Sequence, residues 1–269
     1  MHFLISRDAL LKPLSLVSGV VERRQTLPVL ANVLLVLREK ELSLIGTDLE
    51  VELVGKTEVD QAIQSGEVTV PARKFLDICK SLVDGAIVDV ALAEKKLVIR
   101  SGRSRFSLAT LAASEFPNVE EEPDTFSLTI DQAKVRQLLD NTSFAMAQQD
   151  VRYYLNGMLF EVGKDYLRLV STDGHRLAME TLALNSALSE TQQQILPRKG
   201  VVELSRLLSE EGGEITLTFG QNHIRAEMPE FTFTSKLVDG KFPDYNRVLP
   251  KGGDKTVIGD CQQLRQAFA

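Results

Sequence analysis

Only two cysteines occur in the 269 residues, Cys79 and Cys261, far apart and neither in a C-x-x-C pattern. That excludes a disulfide-stapled scaffold and a thiolate zinc site, and it suits a reducing compartment. The three histidines, His2, His175 and His223, are isolated from one another and from both cysteines, so no metal-ligand spacing exists. A run of about 20 apolar residues that could span a membrane is missing. Arg7, Asp8, Lys12, Pro13, Glu22, Arg23 and Arg24 interrupt the N-terminal apolar stretches, which leaves no signal-peptide core. Also absent are the phosphate-cradling G-x-x-x-x-G-K motif, a G-x-G-x-x-G joining strand to helix, and G-x-S-x-G. No catalytic, metal-binding or cofactor-binding residue is therefore assigned.

What is present is the balance of a folded protein, 43% hydrophobic and 25% charged residues, in a length that suggests two domains with full cores. The net charge of −6 argues by itself against a nucleic-acid partner. Internal repetition is the stronger signal. A spacing of 125 residues relates Ile5 to Ile130, Thr47-Asp48 to Thr172-Asp173, Arg100 to Arg225 and Phe106 to Phe231. With slips of one residue, Asn32 aligns with Asn156, Pro71 with Pro197, and Phe116-Pro117 with Phe242-Pro243. Such a period fits a duplicated domain, residues 1–121 and 126–250, joined by the acidic stretch Glu120 to Asp124. A third copy begins at 255–269, where Val257-Ile258 reads as a short strand before a helix from Cys261, so the chain is expected to be truncated early in that copy.

Each copy reads as α+β, two helices packed on antiparallel sheets. Helical spacing covers Arg7 to Val17 with Ser6 as N-cap, Ala72 to Leu82 after Pro71, Asp131 to Asn141, and Arg198 to Leu208. Period-two strands include Val33 to Leu37, Leu42 to Ile45, Leu49 to Val54, Ile87 to Ala91, Leu97 to Ser101 and Arg105 to Thr110. The four helical windows hold ten basic and five acidic side chains, a net of +5, so the remainder of the chain carries −11. Because apolar faces must pack on the sheets, Lys12, Arg73, Lys80, Lys134, Arg136, Arg198, Lys199 and Arg206 are expected on exposed faces, where a phosphate backbone could lie.

Thr172-Asp173-Gly174-His175-Arg176 invites a mechanistic reading, an Asp orienting a general base, and keeps a duplicated-domain hydrolase open as an alternative. Its duplicate, Thr47-Asp48-Leu49-Glu50-Val51, has no His. Turn chemistry explains the shared Thr-Asp more simply, the Asp side chain accepting backbone N–H bonds. A general interaction scaffold is the third class.

Long segments now carry a resemblance. Val70-Pro71-Ala72-Arg73-Lys74-Phe75, Arg100 to Leu108, Gln149 to Phe160, Thr172 to Ala178 and Ser235 to Tyr245 resemble the bacterial DNA polymerase III beta subunit family, the replicative sliding clamps. That resemblance implies three similar domains per chain and a homodimeric ring around double-stranded DNA, with helices on the concave inner side. It implies a cytoplasmic, non-enzymatic processivity factor without a cofactor. DNA contacts would fall to Arg24, Arg73, Gln149, Tyr153, Tyr154 and Lys199. The polymerase III catalytic subunit, clamp loader and repair polymerases would insert short linear peptides between domains two and three. Domain two would supply Leu155, Thr172, Gly174, His175, Arg176, Leu177, Pro243, Arg247 and Val248, half of that pocket. Lys74, Arg103, Arg105, Phe106 and Leu108 would form the domain-one side of the subunit interface, with Phe106 and Leu108 on one face of an edge strand.

Overall fold

The computed structural model describes residues 1–21, 27–117, 123, 125–186 and 188–268. Strand β1 (His2–Ser6) runs straight into helix α1 (Arg7–Val20), whose first turn is capped by the Ser6 hydroxyl accepting the Ala9 N–H at 3.3 Å. Then come β2 (Asn32–Arg38), β3 (Glu41–Thr47), β4 (Val51–Glu58), β5 (Gln61–Gln64) and β6 (Gly66–Pro71). Pro71 opens α2 (Ala72–Ser81), and β7 (Ile87–Ala93), β8 (Lys96–Ser101) and β9 (Ser104–Ala109) complete the first domain.

The second domain repeats the order with β10 (Phe126–Asp131), α3 (Gln132–Thr142), β11 (Gly157–Val162), β12 (Tyr166–Thr172) and β13 (Leu177–Ala183). It continues through β14 (Gln192–Pro197), α4 (Arg198–Leu207), β15 (Glu214–Phe219), β16 (His223–Glu227) and β17 (Phe231–Lys236). Asp131 caps α3 as Ser6 caps α1, its carboxylate accepting the Ala133 and Lys134 N–H groups at 3.0 and 3.3 Å. The helix periodicity is confirmed, with α1 running three residues beyond Val17.

Three antiparallel sheets result. One has the order β5-β1-β7-β8-β9 and another β13-β12-β11-β14, while the third, β10-β15-β16-β17-β4-β3-β2-β6, runs through both domains. The join is the β17–β4 ladder, which sets Phe231 opposite Gly55, Phe233 opposite Leu53 and Ser235 opposite Val51. Phe233 and Leu53 are fully buried there, so the seam has a hydrophobic core of its own and one apolar cluster is continuous across both domains.

That register also places the helices. Residues opposite one another share a sheet face, and so do alternate residues along a strand. Gly55 lies under Pro13 of α1 so closely that an added Cβ would sit 2.9 Å from the proline ring, and Gly200 of α4 lies against the Ser235 hydroxyl. Gly55 and Ser235 are on the same face, so α1 and α4 cover one side of the continuous sheet.

Three expectations need correction. Leu49 and Glu50 belong to a turn rather than to a strand, since Leu49 takes φ +79°, the left-handed region filled by Gly174 at φ +89° in the duplicate. Two strands, β5 and β6, lie where no period-two run was read. Val257-Ile258 forms no strand; with no neighbouring strand to pair its backbone, this exposed stretch leads irregularly into α5 (Cys261–Phe268), begun by Asp260, whose side chain accepts the Gln263 N–H at 2.9 Å. The acidic stretch read as a linker falls, apart from Pro123, outside the described residues.

The cysteines differ sharply. Cys79 is buried in α2, which pushes its thiol up to about 12 against the pull of Arg7, whereas Cys261 is exposed. Thiol labelling of the native protein should therefore modify Cys261 alone, and both residues in denaturant; rapid native labelling of Cys79 would contradict this packing.

Candidate functional site

The duplicated Thr-Asp pair builds the same turn twice. In domain 1 the Asp48 carboxylate accepts the Glu50 and Val51 N–H groups at 3.0 and 2.8 Å, and the Thr47 hydroxyl donates to the Val51 carbonyl at 2.9 Å. In domain 2 Asp173 accepts the His175 and Arg176 N–H groups at 2.9 and 3.0 Å, and Thr172 donates to the Arg176 carbonyl at 2.7 Å. These backbone donors, joined by the Arg176 guanidinium at 3.0 Å, hold Asp173 down to about 2. The turn thus keeps its full lock above the ordinary carboxylate range and loses it only as pH falls toward 2. Asp173 meets the backbone of His175, not its ring, so the pair is not a general-base arrangement. Among the described residues no group of three or more His, Cys, Asp or Glu could hold a metal.

Against this turn packs the loop 147–156. Arg152 grips Asp150 through two nitrogens at 3.0 and 2.8 Å and reaches the Asp173 carbonyl at 3.3 Å. Asn156 ties the loop base, exchanging bonds of 2.9 Å with the Asp150 N–H and carbonyl. Gln149 adopts φ +57°, Tyr153 is more than half exposed, and Tyr153 meets Tyr154 edge-on with ring centroids 5.7 Å apart. Leu155 turns inward and is buried.

The second wall stands on the outer face of the four-stranded sheet. Leu159, Val170, Ile195, Phe242 and Tyr245 form a separate buried cluster, with Tyr154, Leu177, Val238 and Leu249 packed on it. Tyr245 is held there by polar bonds: its hydroxyl donates to Glu161 at 2.8 Å and accepts from Arg168 at 2.9 Å. Glu161, only 5% exposed, also accepts from Tyr166 at 3.0 Å, from Arg168 at 3.2 Å and from Gln193. Fixing Tyr245 fixes the segment around it, which presents Pro243, Arg247 and Val248 to solvent. Arg247 lies back on Asp244 at 3.0 Å, and Arg176 lies 5.7 Å over the exposed Phe144 ring. The structure therefore gathers Leu155, Thr172, Gly174, His175, Arg176 and Leu177 on one loop-and-turn unit. Pro243, Arg247 and Val248 sit on the Tyr245 segment; the accessible apolar groups of the two units are the half-buried Leu177 and the exposed Pro243 and Val248, beside the exposed cations Arg176 and Arg247, whereas Leu155, expected as an apolar wall, is buried beneath the loop.

Sequence reasoning did not single out Glu161, Arg168 or Tyr245. A carboxylate inside the strand Gly-Met-Leu-Phe-Glu-Val was the available signal, because a buried acid requires several donors.

The helix cations are less uniform than the charge count suggested. Arg73, Lys80 and Lys134 are exposed and make no ion pair among the described residues. Lys12 pairs with Glu230, Arg136 with Asp140 and Glu210, Lys199 with Asp48 and Arg206 with Glu203, while Arg136, Arg198 and Lys199 are only partly exposed. The expectation of freely exposed cations is corrected for these residues: neighbouring carboxylates compensate four of them. Arg24 lies outside the described residues.

β9 is the edge of its sheet, as expected of Phe106 and Leu108. Leu108 is buried and Phe106 half-buried on the domain core, whereas Arg103 in the turn before β9, Arg105 on β9 and Lys74 on α2 are exposed.

Comparison with known proteins identifies the family. Residues 1–120 match the DNA polymerase III beta subunit N-terminal domain and residues 129–244 its central domain. The chain belongs to the DNA polymerase III beta subunit family. It is 62% identical over 269 residues to the beta sliding clamp of Pseudomonas aeruginosa, covering all of this chain and 73% of that relative. To the beta sliding clamp of Escherichia coli K12 it is 50% identical with the same coverage. The crystal structure of the Pseudomonas aeruginosa beta subunit superposes with a TM-score of 0.97 at 62% identity, over all of this chain and 73% of that one. A Pseudomonas aeruginosa sliding clamp bound to griselimycin superposes at 0.96 with 63% identity and the same coverage. The fold is the sliding-clamp fold, and the protein is a non-catalytic processivity factor of a replicative polymerase. The hydrolase alternative finds no support in the site or in these relatives.

Proposed function

We propose that the protein acts by encircling double-stranded DNA, as part of a homodimeric ring in the bacterial cytoplasm, and tethers partners through peptides seated on the Tyr245 wall. The observation that carries this reading is the β17–β4 seam. It joins the last strand of one domain to the corresponding sheet of the domain before it. The equivalents of its two strands, β9 in domain 1 and β13 in domain 2, are both sheet edges. The two ends are thus complementary to the seam between them, and a heterologous join that repeats with rotation closes into a ring.

On this reading residues 1–121 and 126–250 are clamp domains one and two, and 255–269 begin a third. Lys74, Arg103, Arg105, Phe106 and Leu108 meet the neighbouring subunit. Duplex DNA passes the helix side, where Arg73 offers phosphate contacts that carry no sequence information. Arg24 joins it, and Gln149, Tyr153 and Tyr154 approach a groove or a single strand. Thr172, Gly174, His175, Arg176, Leu177, Pro243, Arg247 and Val248 receive an apolar-anchored peptide from the polymerase, the clamp loader or a repair polymerase, with Leu155 supporting the loop from beneath. Griselimycin, present on a Pseudomonas aeruginosa clamp, is the natural probe of that wall.

Topological binding has a signature. The ring-forming protein should remain on closed circular DNA through gel filtration in high salt and leave when the circle is cut; equal loss from both substrates would refute encirclement. At the peptide wall, Leu177→Lys should weaken griselimycin binding at least tenfold by calorimetry, because a charge would enter the apolar surface.

A further inference from the structure

We infer that Lys199, assisted by Arg206, latches domain 2 onto domain 1 and is a positioning residue of the seam rather than a phosphate contact. The inference qualifies the DNA reading above and rests on it only where it predicts how DNA binding changes.

Helices α2 and α4 are equivalents 126 residues apart, each begun by a proline, so Arg73 corresponds to Lys199 and Lys80 to Arg206. The pairs behave differently. Lys199 reaches out of its own domain and pairs with Asp48 in the Thr-Asp turn of domain 1, where the Asp48 side chain is 5% exposed. Arg206 donates to the Leu16 carbonyl at 3.2 Å, in the last turns of α1. That end of α1 has no basic residue of its own, and a cation there answers the helix dipole. Gly19 makes this approach possible, since a Cβ at that position would lie 2.2 Å from the Arg206 guanidinium. Arg73 and Lys80, by contrast, are exposed and make no ion pair among the described residues.

The duplicated turn explains why Asp48 is available. In domain 2 the second carboxylate oxygen of Asp173 is occupied by Arg176 of the same turn. The equivalent of Arg176 is Val51, so in domain 1 one Asp48 oxygen caps the turn and the other faces the neighbouring domain. A carboxylate this buried needs a cation to compensate it, and Lys199 is the cation the seam supplies. The third cross-seam pair, Lys12 with Glu230, is more than half exposed on both sides and contributes little. Withdrawing Lys199 toward a phosphate would leave Asp48 buried and uncompensated, which opposes a DNA role.

The test is a double-mutant cycle in this chain combined with DNA titration. Asp48→Asn keeps an oxygen for the turn N–H groups and removes the anion that meets Lys199. Asp48→Asn and Lys199→Ala should each lower the folding equilibrium constant about tenfold, and the double variant little more than the worse single one. Lys199→Arg should restore most of the loss. Additive single effects would overturn the latch. On a 30-bp duplex, Lys199→Ala should leave the slope of log affinity against log salt unchanged, whereas Arg73→Ala/Lys80→Ala should lower it by about 2. A slope reduced by about 1 in Lys199→Ala would make it a phosphate contact and also overturn the assignment. If the unaltered chain shows no salt-dependent binding, the DNA reading fails, and the cycle alone decides the latch.

Discussion

Replacing Glu161 by Ala is expected to remove about 3 kcal/mol of unfolding free energy and to weaken ligand binding at a surface that Glu161 itself does not form. Its side chain is 7% exposed, and hydroxyls from Tyr166 and Tyr245, the Arg168 guanidinium and the Gln193 amide converge on it. Deleting the carboxylate leaves the Tyr166 and Tyr245 hydroxyls without this acceptor and a partly buried guanidinium without its counter-charge. The loss belongs to the orphaned donors more than to the bonds themselves. Tyr245→Phe, which removes one hydroxyl and keeps the ring in its apolar cluster, should cost only about 1 kcal/mol. Both values are read from urea unfolding. Griselimycin affinity should fall in the same order, since Pro243, Arg247 and Val248 depend on where Tyr245 sits. A Glu161→Ala protein within about 0.5 kcal/mol of the parent would show that the network is not what fixes this wall.

The contrast between Glu161 and the Thr-Asp turns shows what was legible in the sequence. Each turn is local: Thr47-Asp48 and Thr172-Asp173 bond within four residues, and their repetition at 125 residues exposed both the duplication and the turn chemistry. Helices were equally legible, because Ser6, Pro71 and Asp131 mark starts and the apolar spacing marks a face. Contacts joining residues far apart in the chain left no such trace. Glu161 with Tyr245, Asp48 with Lys199 and Arg206 with Leu16 are set by sheet register and by the β17–β4 seam, which no period reveals. The same blindness explains the charge count. It showed correctly that the helices carry an excess of cations, yet it could not show that Lys12, Arg136 and Lys199 meet carboxylates on other segments or that Arg206 reaches a carbonyl of α1. Leu49 was misread for a different reason: a leucine flanked by acidic residues looks like strand alternation, while its left-handed backbone is dictated by the turn it shares with Gly174.

Glu52 should make the seam more stable in mild acid than in base, and Glu52→Gln should abolish that dependence. Glu52 lies on β4 opposite Thr234 of β17, on the sheet face away from α1, where burial lifts its carboxyl to about 7 although Arg225 pulls it down. Glu50, His223 and Lys236 line the same small recess. A raised acid pKa means that the native state binds a proton the unfolded chain has already released. Stability is therefore lost as pH rises from the ordinary glutamate value toward 7, and the full cost of the buried charge is present above it. A shift of this size corresponds to about 2 kcal/mol once partial solvent access is allowed for. Glutamine keeps the shape and the hydrogen-bonding capacity without the charge. Unfolding free energies of parent and variant from urea titration should converge as pH falls to about 4, below the ordinary glutamate value, and at pH 8 the variant should be the more stable by that amount. A parent whose stability rises between these values with no gain from Glu52→Gln would show that Arg225 keeps the carboxylate ionised across the seam.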